Sequence, residues 1–398
     1  MRVGFDISQT GRFKAGCGYF ADSLAREMIA AHHENTYILY PTFGYGYWDP
    51  DWQTSTLQLP EQPNVVRGPG QTSFGQLEAF WSDPPADFEA RLGSPDIVHS
   101  NNFFCPPRLR RARLVYTLHD LAFATHPEWT TEANWHTCFS GVFEASLYAD
   151  HILAVSNYTR RQFLEMFPYF PEARISVVYE ASRFAGPTAS AAPHGLVHLQ
   201  PREFWLAVGT TEPRKNHLRL LAAYARLRAT HSATYPLVLV GGAGWMMDDL
   251  GARIESLGLV GHVQRLGYVD DLALQWLYQN CTAFCYPSLL EGFGLPVVEA
   301  MSLGAAVLTS SVTSLPEVVG DAGVLVDPFD VDAICAGMRL LAEDATRLAR
   351  LRADALRRAR QFSWRSAAAQ VIDLYRALLE EYPRSIERKP VLGAVPDR

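Results

Sequence analysis

The sequence has no apolar run approaching the ~18 residues that a membrane-crossing helix needs, so no transmembrane segment is expected. Its opening, MRVGFDISQTG, passes straight into a strand pattern without the apolar stretch of a signal peptide. Cysteine is sparse, with six in 398 residues, and the close pair Cys281 and Cys285 has no second pair to complete a zinc site. Free buried thiols and a cytoplasmic location are expected. The net charge of −7 argues against a nucleic-acid partner. No acidic D-x-D metal motif is evident, and no metal site is assigned.

What is present is apolar and repetitive in kind. A hydrophobic content of 48% with 19% charged residues provides for two cores in a chain of this length. Buried strands are expected at Arg2–Ile7, Tyr37–Tyr40, Asp96–His99, Arg113–Leu118, Ala149–Val155 and Arg174–Tyr179. After the small, Pro- and Gly-rich stretch 186–199, the pattern restarts with strands at Phe204–Val208, Pro236–Val240, Val263–Leu266, Thr282–Tyr286 and Ala305–Ser310. Each half begins strand, loop, helix. Two α/β modules with parallel sheets follow, with ligands expected where strands end. Residues 41–95, rich in Trp, Tyr, Pro and Gly, read as irregular and surface-facing, their aromatics suited either to sugar rings or to a local core.

Three loops carry chemistry. After the first strand, Gly16-Cys17-Gly18 precedes a helix ending at Ala31, a short form of a phosphate-approaching turn. His119-Asp120 closes a strand, where ligand-contacting residues are placed; a histidine bonded to the backbone explains it equally well. Around Tyr286–Pro316, Glu291-Gly292-Phe293-Gly294 leads into a helix that Pro296 opens and Gly304 closes. The unpaired N–H groups of a helix start form an anion seat. A carboxylate repels phosphate, so Glu291 and Glu299 are suited to sugar and ribose hydroxyls. Pro107–Arg113 carries four arginines, read as a solvated face or as a peripheral contact with an anionic membrane surface or a phosphorylated acceptor.

The string EGFGLPVVEAMSLG (291–304), continued by Ser314-Leu-Pro-Glu-Val-Val-Gly-Asp-Ala-Gly323, resembles the E-x7-E signature of the retaining GT-B glycosyltransferases of family 4. Gly209-Thr-Thr-Glu-Pro-Arg-Lys-Asn216 resembles their diphosphate loop, Gly267-Tyr-Val269 their base-binding turn, and Phe362-Ser-Trp364 their terminal helix. The resemblance implies two facing Rossmann-like domains: an acceptor-side domain at 1–185, a linker at 186–200 and a donor domain at 201–361. A crossover helix at 362–380 and a tail at 381–398 would follow.

The resemblance also implies roles. His119 would lie near the donor sugar's 6-hydroxyl and Glu291 near its face. Glu299 would take ribose hydroxyls, with the N–H groups of Phe293, Gly294 and Leu295 on sugar and phosphate. Gly16, Gly18, Thr210 and Tyr268 would complete the donor site. Many relatives carry an arginine where this chain has Thr210; Lys215 matches the family lysine and Arg214 stands in for the arginine. Fixed cations stabilise the departing diphosphate more than the intact donor, so a metal-independent transfer is expected; the resemblance implies that it proceeds with retention. No cofactor is expected beyond the nucleotide-diphosphate sugar itself, with GDP-mannose the leading donor. The acceptor would be a glycan, lipid-linked or small-molecule hydroxyl. A nucleotide-sugar epimerase or hydrolase of the same shape, or a non-catalytic partner subunit, stays open.

Overall fold

The computed structural model describes residues 1–381 apart from 13, 45–48, 107–108, 185, 188–190, 232–233, 243 and 245–249. The chain divides into two compact units, Met1–Glu180 with the segment from Ser363 onward, and Ala181–Phe362.

The first unit holds strands β1 (Arg2–Asp6), β2 (Thr36–Tyr40), β3 (Val65–Arg67), β4 (Ile97–Ser100), β5 (Arg113–Leu118), β6 (His151–Ala154) and β7 (Ile175–Val177). They form one parallel sheet in the order β3-β2-β1-β4-β5-β6-β7. β4, β5 and β6 are buried along their whole length, as parallel strands covered on both faces must be. The helix Trp364–Glu381 belongs to this unit. It packs on the helix Gly16–Ala31, with Trp364 edge-on to Phe20 and Tyr375 bonded to His99 of β4.

The second unit holds β8 (Trp205–Val208), β9 (Leu237–Val240), β10 (Val263–Gly267), β11 (Phe284–Tyr286), β12 (Val307–Ser310) and β13 (Val324–Val326). Their parallel order is β10-β9-β8-β11-β12-β13. In both sheets the direction of winding reverses beside the first strand, between β1 and β4 and between β8 and β11. Such a switch point splays the flanking loops apart and opens a crevice at the strand C-termini.

Three expectations need correction. Residues 41–95 are not merely surface elaboration: Phe43, Trp81 and Phe88 are buried and pack with Phe104, and a helix spans Phe74–Ser82. Tyr45, Tyr47 and Trp48 lie outside the described residues. The division between units falls at Glu180/Ala181 rather than after 185, because Ser182 and Arg183 bond to Ser302 and Glu299 of the second unit. D-x-D spacings do occur, at Asp49/Asp51 and Asp330/Asp332, but they close turns: Asp49 accepts from Asp51 N and Ser55 Oγ, and Asp330 from Asp332 N. The tail beyond 381 and the linker residues 188–190 lie outside the described residues. No described helix is long and apolar enough to cross a membrane.

Candidate active site

In the second unit both switch-point loops carry charge. The loop after β8 turns through Gly209 (φ 153°), forms a short 3-10 turn at Pro213–Lys215, and enters the helix His217–Thr230 through Asn216 in the left-handed region. The Asn216 amide donates to the carbonyls of Pro287 and Pro328, at 2.9 and 2.7 Å, fixing this loop against the one after β11. The second loop runs to Gly294, also left-handed at φ 101°, where the helix Leu295–Ser302 begins with Pro296 in its first turn. Ser314 Oγ donates to the carbonyls of Glu291 and Phe293, so the loop is pinned from below.

These constraints bring Glu291, Arg214 and Lys215 together. Lys215 Nζ lies 2.7 Å from Glu291 Oε1, and Arg214 Nη1 lies 2.9 Å from Oε2. Arg214 Nη2 also reaches Glu212 Oε1 at 2.9 Å, and Lys215 donates to Tyr286 Oη at 2.5 Å. Glu291 is buried, which alone would raise its pKa; the two cations overcome this and hold its carboxyl at about 2. Burial and Arg214 lower the Lys215 pKa, and Glu291 and Glu212 oppose them. The result is a carboxylate that aligns two cations beside a helix start, as an incoming anion requires. Glu212 and Tyr286 were not singled out from the sequence, although an acid three positions before Lys215 was the available signal.

Glu299 is 2% exposed. Arg183 Nη1 donates to its Oε1 at 2.6 Å, and Tyr278 Oη to its Oε2 at 3.3 Å. Across the sheet, a cavity of about 380 Å³ opens where β8, β9 and β10 end, lined by Gly209, Thr211, His217, Gly241, Arg265 and Gly267 among others. His217 lies in it with Nδ1 lacking a partner among the described residues. Burial, then Lys215 and Arg265, push its pKa down to about 4, so the ring is neutral.

The first unit has its own polar cluster at its switch point. His119, just beyond β5, donates from Nε2 to the Asn101 carbonyl at 3.0 Å and turns Nδ1 towards Glu180 Oε1 at 3.8 Å. Phe20 stands edge-on to the ring. Burial works against a charged imidazole here, but Cys17 and Glu180 outweigh it and raise the pKa well above the ordinary value. His119 is thus bonded to the backbone through Nε2, with its other ring nitrogen turned towards an acid. Asp6 sits behind it, accepting from Ser8 N, Ser8 Oγ and Asn101 N, and burial lifts its pKa to about 6.

The remaining expected residues divide. A Cβ at Gly18 would meet Gln9 O at 2.1 Å, so this glycine is required by packing, whereas Gly16 has open space around it. Thr210 is half-buried and Tyr268 is 58% exposed beside the cavity-lining Gly267. Phe293 is buried edge-on to Phe362, and its carbonyl accepts from Ser314 Oγ. Of the four arginines in 107–113, Arg113 is buried, which removes it from any surface contact; Arg110 and Arg111 are exposed, and Arg108 lies outside the described residues. The six cysteines are free thiols. Among the described residues, no group of three or more His, Cys, Asp or Glu side chains is arranged to hold a metal ion.

Known proteins match both units. The family described as Glycosyltransferase Family 4 matches residues 15–181, and Glycosyl transferases group 1 matches 195–361. The O-antigen chain mannosyltransferase B of Escherichia coli is 39% identical over 337 residues, 81% of this chain and 88% of that protein. The serotype-specific mannosyltransferase WbdA of Escherichia coli is 31% identical over 310 residues, 72% of this chain but 37% of that longer protein. Among solved structures, Anabaena Alr3699/HepE in complex with UDP and glucose superposes with a TM-score of 0.70 at 19% identity, covering 95% of this chain and all of that one. The chain belongs to glycosyltransferase family 4 and has the GT-B fold.

Proposed function

We propose that the protein transfers mannose from GDP-mannose to a hydroxyl of a growing polysaccharide, with retention and without a metal ion. The observation that carries this reading is the pairing of Arg214 and Lys215 on one buried carboxylate, Glu291, at a switch point. Breaking the sugar–diphosphate bond builds positive charge on the anomeric carbon and negative charge on the leaving phosphate. The two cations meet the second charge and Glu291 the first. Because all three are already fixed, little reorganisation is needed as the charge develops.

The first-turn N–H groups of the helix Leu295–Ser302 add donors for phosphate, and Glu299 is placed for ribose hydroxyls. The cavity beside Gly267 is the proposed seat of the base. His119, held between the Asn101 carbonyl and Glu180, is assigned to hydrogen-bonding a sugar hydroxyl. The mannosyl donor and glycan acceptor are supported by the similarity to an O-antigen chain mannosyltransferase and a serotype-specific mannosyltransferase. A UDP-sugar is the second reading for the donor, supported by UDP in the HepE complex.

Thermal unfolding of the purified protein against GDP, UDP, ADP and dTDP tests the donor class. A nucleotide at 100 times its dissociation constant stabilises by about 2.7 kcal/mol. A shift with GDP alone is expected; a shift with UDP alone reassigns the donor, and none with any nucleotide refutes the reading.

A further inference from the structure

The loops after β8, β9 and β10 are tied to one another around the cavity in the second unit. Gly241 N donates to the Gly267 carbonyl at 2.9 Å, Gly209 N to the Val240 carbonyl at 2.8 Å, and Thr211 N to the Gly242 carbonyl at 3.1 Å. Gly209, Gly241 and Gly267 bring no side chains to the wall, and Leu239 and Leu250 bring apolar ones, a lining that suits a flat ring. The volume of about 380 Å³ falls within the range of small-ligand sites. Two polar side chains then matter. His217 is 5% exposed and neutral, with Nδ1 unpartnered among the described residues; such an orphan in a cavity wall is costly and calls for a polar occupant. Arg265 stands on the edge strand β10, two positions before its end, exposed and lining the cavity. Among the described residues no hydrogen bond or ion pair ties down its guanidinium. No carboxylate is among the described residues that line the cavity.

We infer that Arg265 is a specificity-determining residue for the donor: its guanidinium reads the O6 and N7 acceptors of guanine. A guanidinium presents paired N–H donors in a rigid fork, and guanine offers two adjacent acceptors on that edge. Adenine places an amino group where guanine has O6, so donor would face donor. Uracil offers the single acceptor O4 there and can satisfy only half of the fork. A lining that brings a guanidinium and no carboxylate favours keto edges over amino edges as a class, and the fork selects guanine among them. Because this edge is the one read, the 2-amino group of guanine, on the opposite side of the ring, adds little. The inference rests on the donor reading above, in which the cavity beside Gly267 seats the base.

The test compares calorimetric dissociation constants for GDP, IDP, 7-deaza-GDP, ADP and UDP, with pyrophosphate as a probe that carries no base. The full-length protein is measured beside Arg265→Met and beside Thr211→Phe, whose ring would fill the cavity. In the wild type, IDP, which lacks only the 2-amino group, is expected within about threefold of GDP, 7-deaza-GDP, which lacks N7, about tenfold weaker, and ADP about tenfold to a hundredfold weaker. Arg265→Met is expected to draw GDP, IDP and 7-deaza-GDP to one constant and to leave pyrophosphate unchanged. An equal loss for every nucleotide and for pyrophosphate would make Arg265 a general attractor of phosphate and overturn the role. So would an undiminished gap between GDP and 7-deaza-GDP in Arg265→Met. A wild type that binds IDP much more weakly than GDP, with 7-deaza-GDP unaffected, overturns the role while leaving guanine in the site. Thr211→Phe tests the base reading itself: loss of GDP with pyrophosphate retained supports it, and undiminished GDP binding removes the base from the cavity and this inference with it. If Thr211→Phe does not fold, the Arg265→Met comparison still decides the role. A wild type that binds UDP and not GDP, or no nucleotide at all, refutes the donor reading and the inference together.

Discussion

Lys215 Nζ and Glu291 Oε1 lie 2.7 Å apart, and Tyr286 Oη lies within hydrogen-bond distance of both. The lysine is therefore not a free cation waiting for phosphate. It is held by a carboxylate that works against the effect of burial on its pKa. Removing it should take away one of the two cations proposed to stabilise the leaving group while leaving Arg214 on Glu291. Lys215→Ala is expected to lower kcat by about a hundredfold or more, measured as nucleoside diphosphate released under saturating donor.

Removing the carboxylate has the opposite structural consequence. Glu291→Gln leaves Lys215 and Arg214 side by side without the carboxylate they share, Arg214 keeping its contact with Glu212; breaking a buried ion pair typically costs about 3–5 kcal/mol. A clear fall in the urea midpoint is expected together with loss of transfer. Lys215→Ala, which leaves Arg214 on the carboxylate, is expected to cost less.

Two buried carboxylates give the stability of this protein opposite pH slopes. Glu291 has its pKa lowered from 4.5 to about 2, so the unfolded chain takes up the proton first as pH falls. Its contribution is complete above pH 4.5 and is lost as pH drops towards 2. Asp6 has its pKa raised from 3.8 to about 6 by burial, against the bonds from Ser8 and Asn101. There the folded state holds the proton longer, and stability falls as pH rises from 3.8 through 6. Urea melts across this range should show that Glu291→Gln flattens the acid limb and Asp6→Asn the limb near pH 5.

Glycine substitutions separate fold from function. Gly241 has φ 144° and an added Cβ would sit 2.0 Å from Gly209 O, so Gly241→Ala should collapse the loop after β8 and destabilise strongly. Gly16 has nothing within 4 Å of its Cβ position and begins a helix. Gly16→Ala should leave the melting temperature nearly unchanged, within about 0.5 kcal/mol of stability. Any loss of donor affinity in that variant then reports ligand contact.

Much of this architecture was legible because parallel strands are buried on both faces. β9 (LVLV) is a continuous apolar run, and β5 (RLVYTL) is apolar but for Arg113 and Thr117, both buried. β3 and β13 escaped notice because they are three-residue edge strands carrying exposed Val66 and Leu325. The aromatics of 41–95 were ambiguous in sequence because Phe43, Trp81 and Phe104 meet only when distant segments pack. The same applies to the site. Glu291 and Lys215 stood out locally through glycine, proline and charge, whereas Arg183 and Glu299 are 116 positions apart and only the tertiary fold joins them. Asp6, Asn101 and Glu180 were missed for the same reason around His119.

Leaving-group stabilisation by Arg214 and Lys215 predicts indifference to chelation. Transfer rates with and without EDTA, after exhaustive dialysis, should agree; a loss restored by added magnesium or manganese would assign the diphosphate charge to a metal instead.

The central claim is tested most directly by incubating the protein with GDP-mannose and a mannose-terminated oligosaccharide, then examining the product by mass spectrometry and by NMR at the new anomeric centre. One added hexose per GDP released, in the same anomeric configuration as the donor, is the predicted result. Release of free mannose, recovery of an isomerised nucleotide sugar, or no turnover of GDP-mannose would contradict it.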